Sequence, residues 1–135
     1  MKRVLFVCVH NSGRSQMAEA FLGSLGQGAI EAESAGTIPS ARVNPVVVLA
    51  MKEKGINITL NKPKLLTQDM VDRAHRVITM GCSSEEACPA VFVPSEDWEL
   101  EDPVGMSIEE VRRIRDQIEE KVRRLIAELR LEFVK

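Results

Sequence analysis

The chain has no excess of charge of either sign. Its 18 lysines and arginines nearly balance 20 aspartates and glutamates, leaving a net charge of −2 over 135 residues. A nucleic-acid binder needs clustered cations to neutralise phosphates, so no nucleic-acid partner is expected. The basic clusters that do occur, Arg112/Arg113/Arg115 and Arg123/Arg124, are interleaved with glutamates and read as a solvated helix face. No apolar run is long enough to span a bilayer, so no membrane association is expected either. Lys2-Arg3 followed by Val4 to Val9 imitates the start of an export signal. Polar His10-Asn11-Ser12 cuts it short, however, and no small-residue cleavage site follows. The expectation is a cytoplasmic protein. Cysteines are few and odd in number, at three, which suits reactive thiols better than a disulfide framework. Only two histidines are present, His10 and His75, and neither is spaced to complete a zinc site with cysteines. Internal repeats, linkers and low-complexity tracts are also lacking, so residues 1–135 read as a single domain of common size.

What is present is an ordinary core-forming composition, 44% apolar and 28% charged. Val4 to Val9 reads as a strand buried on both faces. A polar turn follows, then a helix with Met17, Ala18, Phe21, Leu22 and Leu25 on one stripe, ended by Gly26 and Gly28. Ile30 to Ser34 reads as a second strand and 35–40 as a loop. Asn44-Pro45 reads as N-cap and first residue of a helix that stops at Gly55. Ile56 to Leu60 reads as extended, Lys62-Pro63-Lys64 as a loop, and Thr67 as the cap of a short helix through Ala74. Arg76 to Met80 and Ala90 to Val93 supply a third and fourth strand. Ser107 and Glu110 form a capping box. The last helix then sets Ile108, Val111, Ile114, Ile118, Val122, Leu125 and Leu129 on one face. Strands alternating with helices predict an α/β fold with a four-stranded parallel sheet flanked by helices. Such sheets bind ligands beyond the carboxyl ends of their strands. Cys8 stands at that end of the first one.

The segment Cys8-Val9-His10-Asn11-Ser12-Gly13-Arg14-Ser15 joins this strand to a helix. A loop in that position can turn several backbone N–H groups onto an anion, backed by the positive end of the helix. The oxyanion-binding loop is therefore assigned to Val9, His10, Asn11, Ser12, Gly13 and Arg14. Gly13 relaxes the backbone, and Arg14 offers a planar fork of donors to a tetrahedral oxyanion. The same field favours Cys8 as a thiolate nucleophile. Ser15 can donate a hydrogen bond to it, and Asn11 can pin the loop.

Two further features are open to more than one reading. Asp102-Pro103 supplies a carboxylic acid that could protonate a leaving oxygen, or merely a turn; Asp97 is a rival for the acid. Cys82 and Cys88 flank a helical-looking stretch. Six residues of α-helix rise about 9 Å and turn roughly 240°, whereas disulfide Cα atoms lie about 4.4–6.8 Å apart. A bridge between them would require the segment to unwind. The alternatives are two buried thiols or half of a zinc site.

These motifs resemble the thioredoxin-coupled arsenate reductases, which share the fold of the low-molecular-weight protein tyrosine phosphatases. The likeness rests on Cys8 to Ser15, Gln16-Met17-Ala18-Glu19, Ser34-Ala35-Gly36, Gly55-Ile56, Cys82, Cys88-Pro89 and Asp102-Pro103, and so spans the chain. It implies a flavodoxin-like three-layer fold and makes Asp102 the general acid. Gln16 stands where the phosphatases usually have proline. Val104 follows Asp102-Pro103 where they have tyrosine, and this chain has no tyrosine at all.

The resemblance implies a relay in which Cys8 attacks arsenate held by the loop and Arg14, Cys82 displaces arsenite, and Cys88 regenerates Cys8. An external dithiol, thioredoxin by the resemblance, would then reduce the 82–88 disulfide. Cys8, Arg14, Ser15, Cys82, Cys88 and Asp102 are the expected catalytic residues in a monomer with no bound cofactor. Some such reductases hold a monovalent cation at positions matching Asn11, Glu19 and Ser34. Their fourth position, an aspartate, is Lys64 here, and its ammonium can replace the cation, so no metal is expected. Five residues separate Cys82 from Cys88 where six are usual, and His10 and Gly13 also depart from the usual residues. A phosphomonoester hydrolase and a non-catalytic redox or anion-binding module are the alternatives.

Overall fold

A computed structural model describes residues 2–26, 28, 30–81 and 95–134. Cys82, Cys88, Pro89 and the strand expected over Ala90–Val93 lie outside them. Four strands, β1 (Lys2–Cys8), β2 (Ile30–Gly36), β3 (Arg76–Thr79) and β4 (Ser95–Asp97), form one sheet in the order β2-β1-β3-β4, each pair parallel. The chain leaves β1 for β2 on one side and later reaches β3 on the other. The switch point, where such sheets place their ligands, thus lies beyond the carboxyl end of β1.

Strand β1 is central because both its faces are apolar. Val4, Phe6 and Cys8 face a large core shared with helices α1 (Arg14–Leu25), α2 (Pro45–Lys52) and α4 (Ile108–Val134). Leu5 and Val7 face a smaller core closed by Val71 of α3 (Gln68–Arg73). This is the expected three-layer arrangement. The stripe of α4 is close to the expected one: Val111, Ile114, Ile118, Val122, Leu125 and Leu129 are all buried, while Ile108 at its start is half-buried against the core. Helix starts follow their caps. The Asn44 side chain accepts from Val46 N at 2.9 Å, Thr67 from Met70 N at 3.2 Å, and Ser107 from Glu110 N at 3.3 Å.

Several expectations are corrected. Residues 56–60, expected to be extended, end in a turn at 59–60, where Asn57 Oδ1 accepts from Thr59 N at 3.0 Å. Strand β2 runs on to Gly36, because Ala35 and Gly36 stay in register with Val7 and Cys8. Strand β4 is Ser-Glu-Asp, with no apolar residue to announce it; it is exposed along its length and held by backbone pairing to β3. Arg115 is not on a solvated face. It is buried, donating to Ala50 O at 2.9 Å, Glu53 at 2.7 Å and Asp116 at 2.8 Å.

Candidate active site

The loop between β1 and α1 is shaped from outside. Carbonyls of Cys8, Val9, His10 and Ser12 accept from Thr37 N (3.3 Å), Ile38 N (2.8 Å), Ser40 N (3.0 Å) and Asn44 N (2.8 Å). With these carbonyls turned outward to the strap of residues 37–44, the loop amides are left for the inside. His10 adds Nδ1 to the Ile38 carbonyl at 3.0 Å, so it is a strut and not simply exposed. Gly36 permits the close approach: a Cβ there would meet Val9 O at 2.5 Å and Asn11 N at 3.0 Å. Gly13 lies under Pro103, whose Cγ a Cβ would meet at 2.7 Å. Gly13 is also the N-cap of α1, whose first turn has no side-chain cap and no acidic residue. The positive helix end is thus left uncompensated for an anion.

Asn11 is the hub of this loop. It is fully buried, in the left-handed region at φ 51, a conformation asparagine tolerates well. Its N–H reaches Cys8 Sγ at 3.1 Å. Its Nδ2 donates to Ser15 Oγ (2.7 Å) and Ser34 Oγ (3.0 Å), and its Oδ1 accepts from Gln16 Nε2 (3.1 Å) and Lys64 N (2.9 Å). These contacts fix where the hydroxyl protons go. Ser15 Oγ already accepts from Asn11, so its proton points to Cys8 Sγ, 2.8 Å away. By the same reasoning Ser34 donates to Glu19 Oε1 at 3.2 Å. A hydroxyl and an amide therefore both donate to the Cys8 sulfur, which suits an anionic sulfur.

Glu19 also receives Lys64 Nζ at 3.1 Å. Asn11, Ser34 and Glu19 thus converge as the resemblance implies, and the ammonium supplies the positive charge there. A further cation would face its repulsion, so these residues do not fit a monovalent ion. Among the described residues no group of three or more histidines, cysteines or carboxylates could hold a metal ion.

The Arg14 guanidinium is buried and half spent. Its Nη1 donates to the carbonyls of Met80 (2.6 Å), Leu100 (2.9 Å) and Gly81 (3.1 Å). Among the described residues no group accepts a hydrogen bond from Nε or Nη2, which keep donors for an oxyanion. Nη2 lies 3.8 Å from Asp102 Oδ2, so that carboxylate stands at the edge of the loop. Its other oxygen accepts from Val104 N at 3.0 Å, the turn that the Asp-Pro pair also predicts. Asp97 is tied elsewhere, to Thr79 Oγ1 (3.0 Å) and Gly81 N (2.7 Å).

The structure therefore brings Cys8, Arg14, Ser15 and Asp102 together around the loop. The backbone partners of Arg14 and the need for Gly81 leave a single sequence signal, a glycine directly after a strand. The role of Gln16 was not legible in the sequence. Buried at 1% exposure, its Nε2 reaches Lys62 O at 3.4 Å and its Oε1 accepts from Asn61 Nδ2 at 3.3 Å, tying residues 61–64 to the loop.

The family model for low molecular weight phosphotyrosine protein phosphatase matches residues 3–135. A glutaredoxin arsenate reductase of Synechocystis sp. is 41% identical over 132 residues, 96% of this chain and 99% of the relative. A solved structure described as an arsenate reductase in the phosphate binding state superposes with a TM-score of 0.85. It is 42% identical, over 95% of this chain and 98% of the other. The YwlE arginine phosphatase from Geobacillus stearothermophilus superposes with a TM-score of 0.87 at 28% identity, over 99% and 96% of the two chains. The chain therefore belongs to the low molecular weight phosphotyrosine protein phosphatase family, and its relatives there include proteins named arsenate reductase.

Proposed function

We propose that this protein is an arsenate reductase working through Cys8, Cys82 and Cys88. The observation that carries the reading is Cys8 Sγ, taking hydrogen bonds from Asn11 N and Ser15 Oγ inside a loop closed by Arg14. That arrangement suits attack on any tetrahedral oxyanion. Reduction is favoured over hydrolysis by the relatives, 41% and 42% identical on the reductase side against 28% for the arginine phosphatase. Cys82 and Cys88 add to this, because hydrolysis requires neither.

In the first step the Cys8 thiolate bonds to arsenic and a hydroxyl departs as water, protonated by Asp102. In the second, the Cys82 thiolate attacks Cys8 Sγ. The sulfur–arsenic bond breaks and leaves its electron pair on arsenic, so As(V) becomes arsenite while a Cys8–Cys82 disulfide forms. In the third, Cys88 attacks Cys82 and releases the Cys8 thiolate. An external dithiol supplies two electrons to the 82–88 disulfide. Thioredoxin and a glutaredoxin–glutathione pair both have that chemistry. A reducing compartment such as the cytoplasm, an arsenic-detoxifying role and a monomeric state complete the proposal.

The test is arsenate turnover coupled to each reductant system, run beside cysteine variants. Cys8→Ser should abolish turnover, and Cys88→Ser should stop after one arsenite per chain in the absence of other thiols. Undiminished multiple turnover by Cys88→Ser would sink the relay. The second reading, a phosphomonoester hydrolase, takes its support from the match to the arginine phosphatase. It expects Cys82→Ser to keep full hydrolysis of para-nitrophenyl phosphate with no arsenate turnover in the unaltered chain. A non-catalytic module would leave both activities indifferent to Cys8→Ser.

A further inference from the structure

The orientation of Arg14 depends on a bend that it does not itself form. Two of the carbonyls holding Nη1, those of Met80 and Gly81, lie just past the end of β3, and the third belongs to Leu100 just past β4. The two chain segments approach so closely that a Cβ on Gly81 would meet Leu100 O at 2.2 Å, Leu100 N at 2.6 Å and Arg14 Nη1 at 3.0 Å. Gly81 has φ +98, and Glu99, directly before Leu100, sits at φ 52. Two backbone residues in the left-handed region thus turn carbonyls onto one nitrogen. Such a bend persists only where its surroundings over-determine it.

Backbone bonds from Met80 N to Val7 O (3.1 Å) and from Trp98 N to Thr79 O (2.9 Å) flank it, and the side chain that ties it is Asp97. Its Oδ1 accepts from Gly81 N at 2.7 Å and from Thr79 Oγ1 at 3.0 Å, across the β3–β4 pair in which Thr79 and Asp97 are register partners. The carboxylate therefore spans the bend from strand end to glycine. Among the described residues the carboxylate that pairs with Arg14 is Asp102, not Asp97.

We propose that Asp97 is a positioning residue for oxyanion binding. By accepting from Gly81 and Thr79 it fixes the carbonyls that hold Arg14 Nη1, and so aims Nε and Nη2 at the oxyanion. It acts as a hydrogen-bond acceptor and not as an acid, which separates its role from that of Asp102. The proposal rests on the reading that the Cys8–Arg14 loop binds an oxyanion.

The test uses inorganic phosphate as the probe, titrated calorimetrically into the full chain and its variants. Asp97→Asn keeps the accepting oxygen and should bind phosphate within about twofold of the unaltered chain. Asp97→Ala leaves the Gly81 amide without its acceptor and should weaken binding about tenfold or more. In arsenate turnover Asp97→Ala should raise KM more than it lowers kcat, whereas Asp102→Asn should do the reverse. Equal damage from Asp97→Asn and Asp97→Ala would overturn the acceptor role, and so would unchanged phosphate affinity in Asp97→Ala. Should Asp97→Ala fail to fold, Asp97→Asn decides alone: retained affinity supports the role, and a tenfold loss overturns it. Absence of phosphate binding in the unaltered chain would instead remove the oxyanion reading itself, and the proposal with it.

Discussion

At the scale of single residues, Asn11 and Ser15 hold the Cys8 sulfur by hydrogen bonds. Every polar atom of the Asn11 amide is used, and the partners come from three separate segments: Ser15 and Gln16 in α1, Ser34 in β2, and Lys64. Alanine there would strand several buried donors and acceptors and hold a Cβ residue at φ 51 without a compensating bond. Asn11→Ala should lower unfolding stability by about 2–4 kcal/mol, read from denaturant midpoints. Ser15→Ala is the gentler probe. It removes one hydrogen bond to the sulfur and should slow Cys8 alkylation by iodoacetamide at neutral pH by about tenfold, with the fold intact. An unchanged alkylation rate would show that Ser15 does not support the thiolate. The Cys8-to-Arg14 spacing made the loop legible in the sequence. The partners of Arg14 were not legible, because backbone carbonyls carry no residue signature.

At the scale of elements, helices and the three longer strands announce themselves in the sequence, and β4 does not. Helix α4 carries its burial pattern in the spacing of its isoleucines, leucines and valines, and α2 and α3 carry theirs in cap residues. Strand β4 has neither pattern nor cap, so only its pairing with β3 reveals it. Arg115 was misread for a related reason: charge in a sequence does not say which helix face it lies on. The structure puts it with Arg112 against Glu53 at the end of α2. Hydrogen bonds from Arg112 and then Arg115 hold the Glu53 carboxyl down to about 2 from its ordinary 4.5. A carboxyl depressed by folding adds stability above pH 4.5 and loses it as pH falls toward and through 2. Glu53→Gln should therefore flatten the fall in stability across that acid window, followed by denaturant unfolding at a series of pH values. A variant with the slope of the unaltered chain would show that the α2–α4 clamp is not a source of acid sensitivity.

At the scale of the whole molecule, the oxyanion loop is a junction. Strand β1, helix α1, the 37–44 strap and the ends of β3 and β4 all contribute bonds to it. A ligand held there should be coupled to global unfolding. Phosphate at 100 times its dissociation constant should raise unfolding stability by about 2.7 kcal/mol, the amount expected for a ligand that binds only the folded chain. Thermal melts with and without phosphate measure this, and Arg14→Ala should remove the shift.

The outward-turned carbonyls of Cys8, Val9, His10 and Ser12 have a consequence for the order of events during folding. They accept from residues 37–44, and the hub also needs Ser34 and Lys64, so the bonded surroundings of Cys8 do not exist in the nascent chain. Until β1 has both parallel neighbours, Cys8 is one thiol among three. On the proposed function, its reactivity should switch on late, when distant segments close around it. Quenched-flow alkylation during refolding would thus serve as a clock for sheet completion, with the nucleophile itself as the reporter.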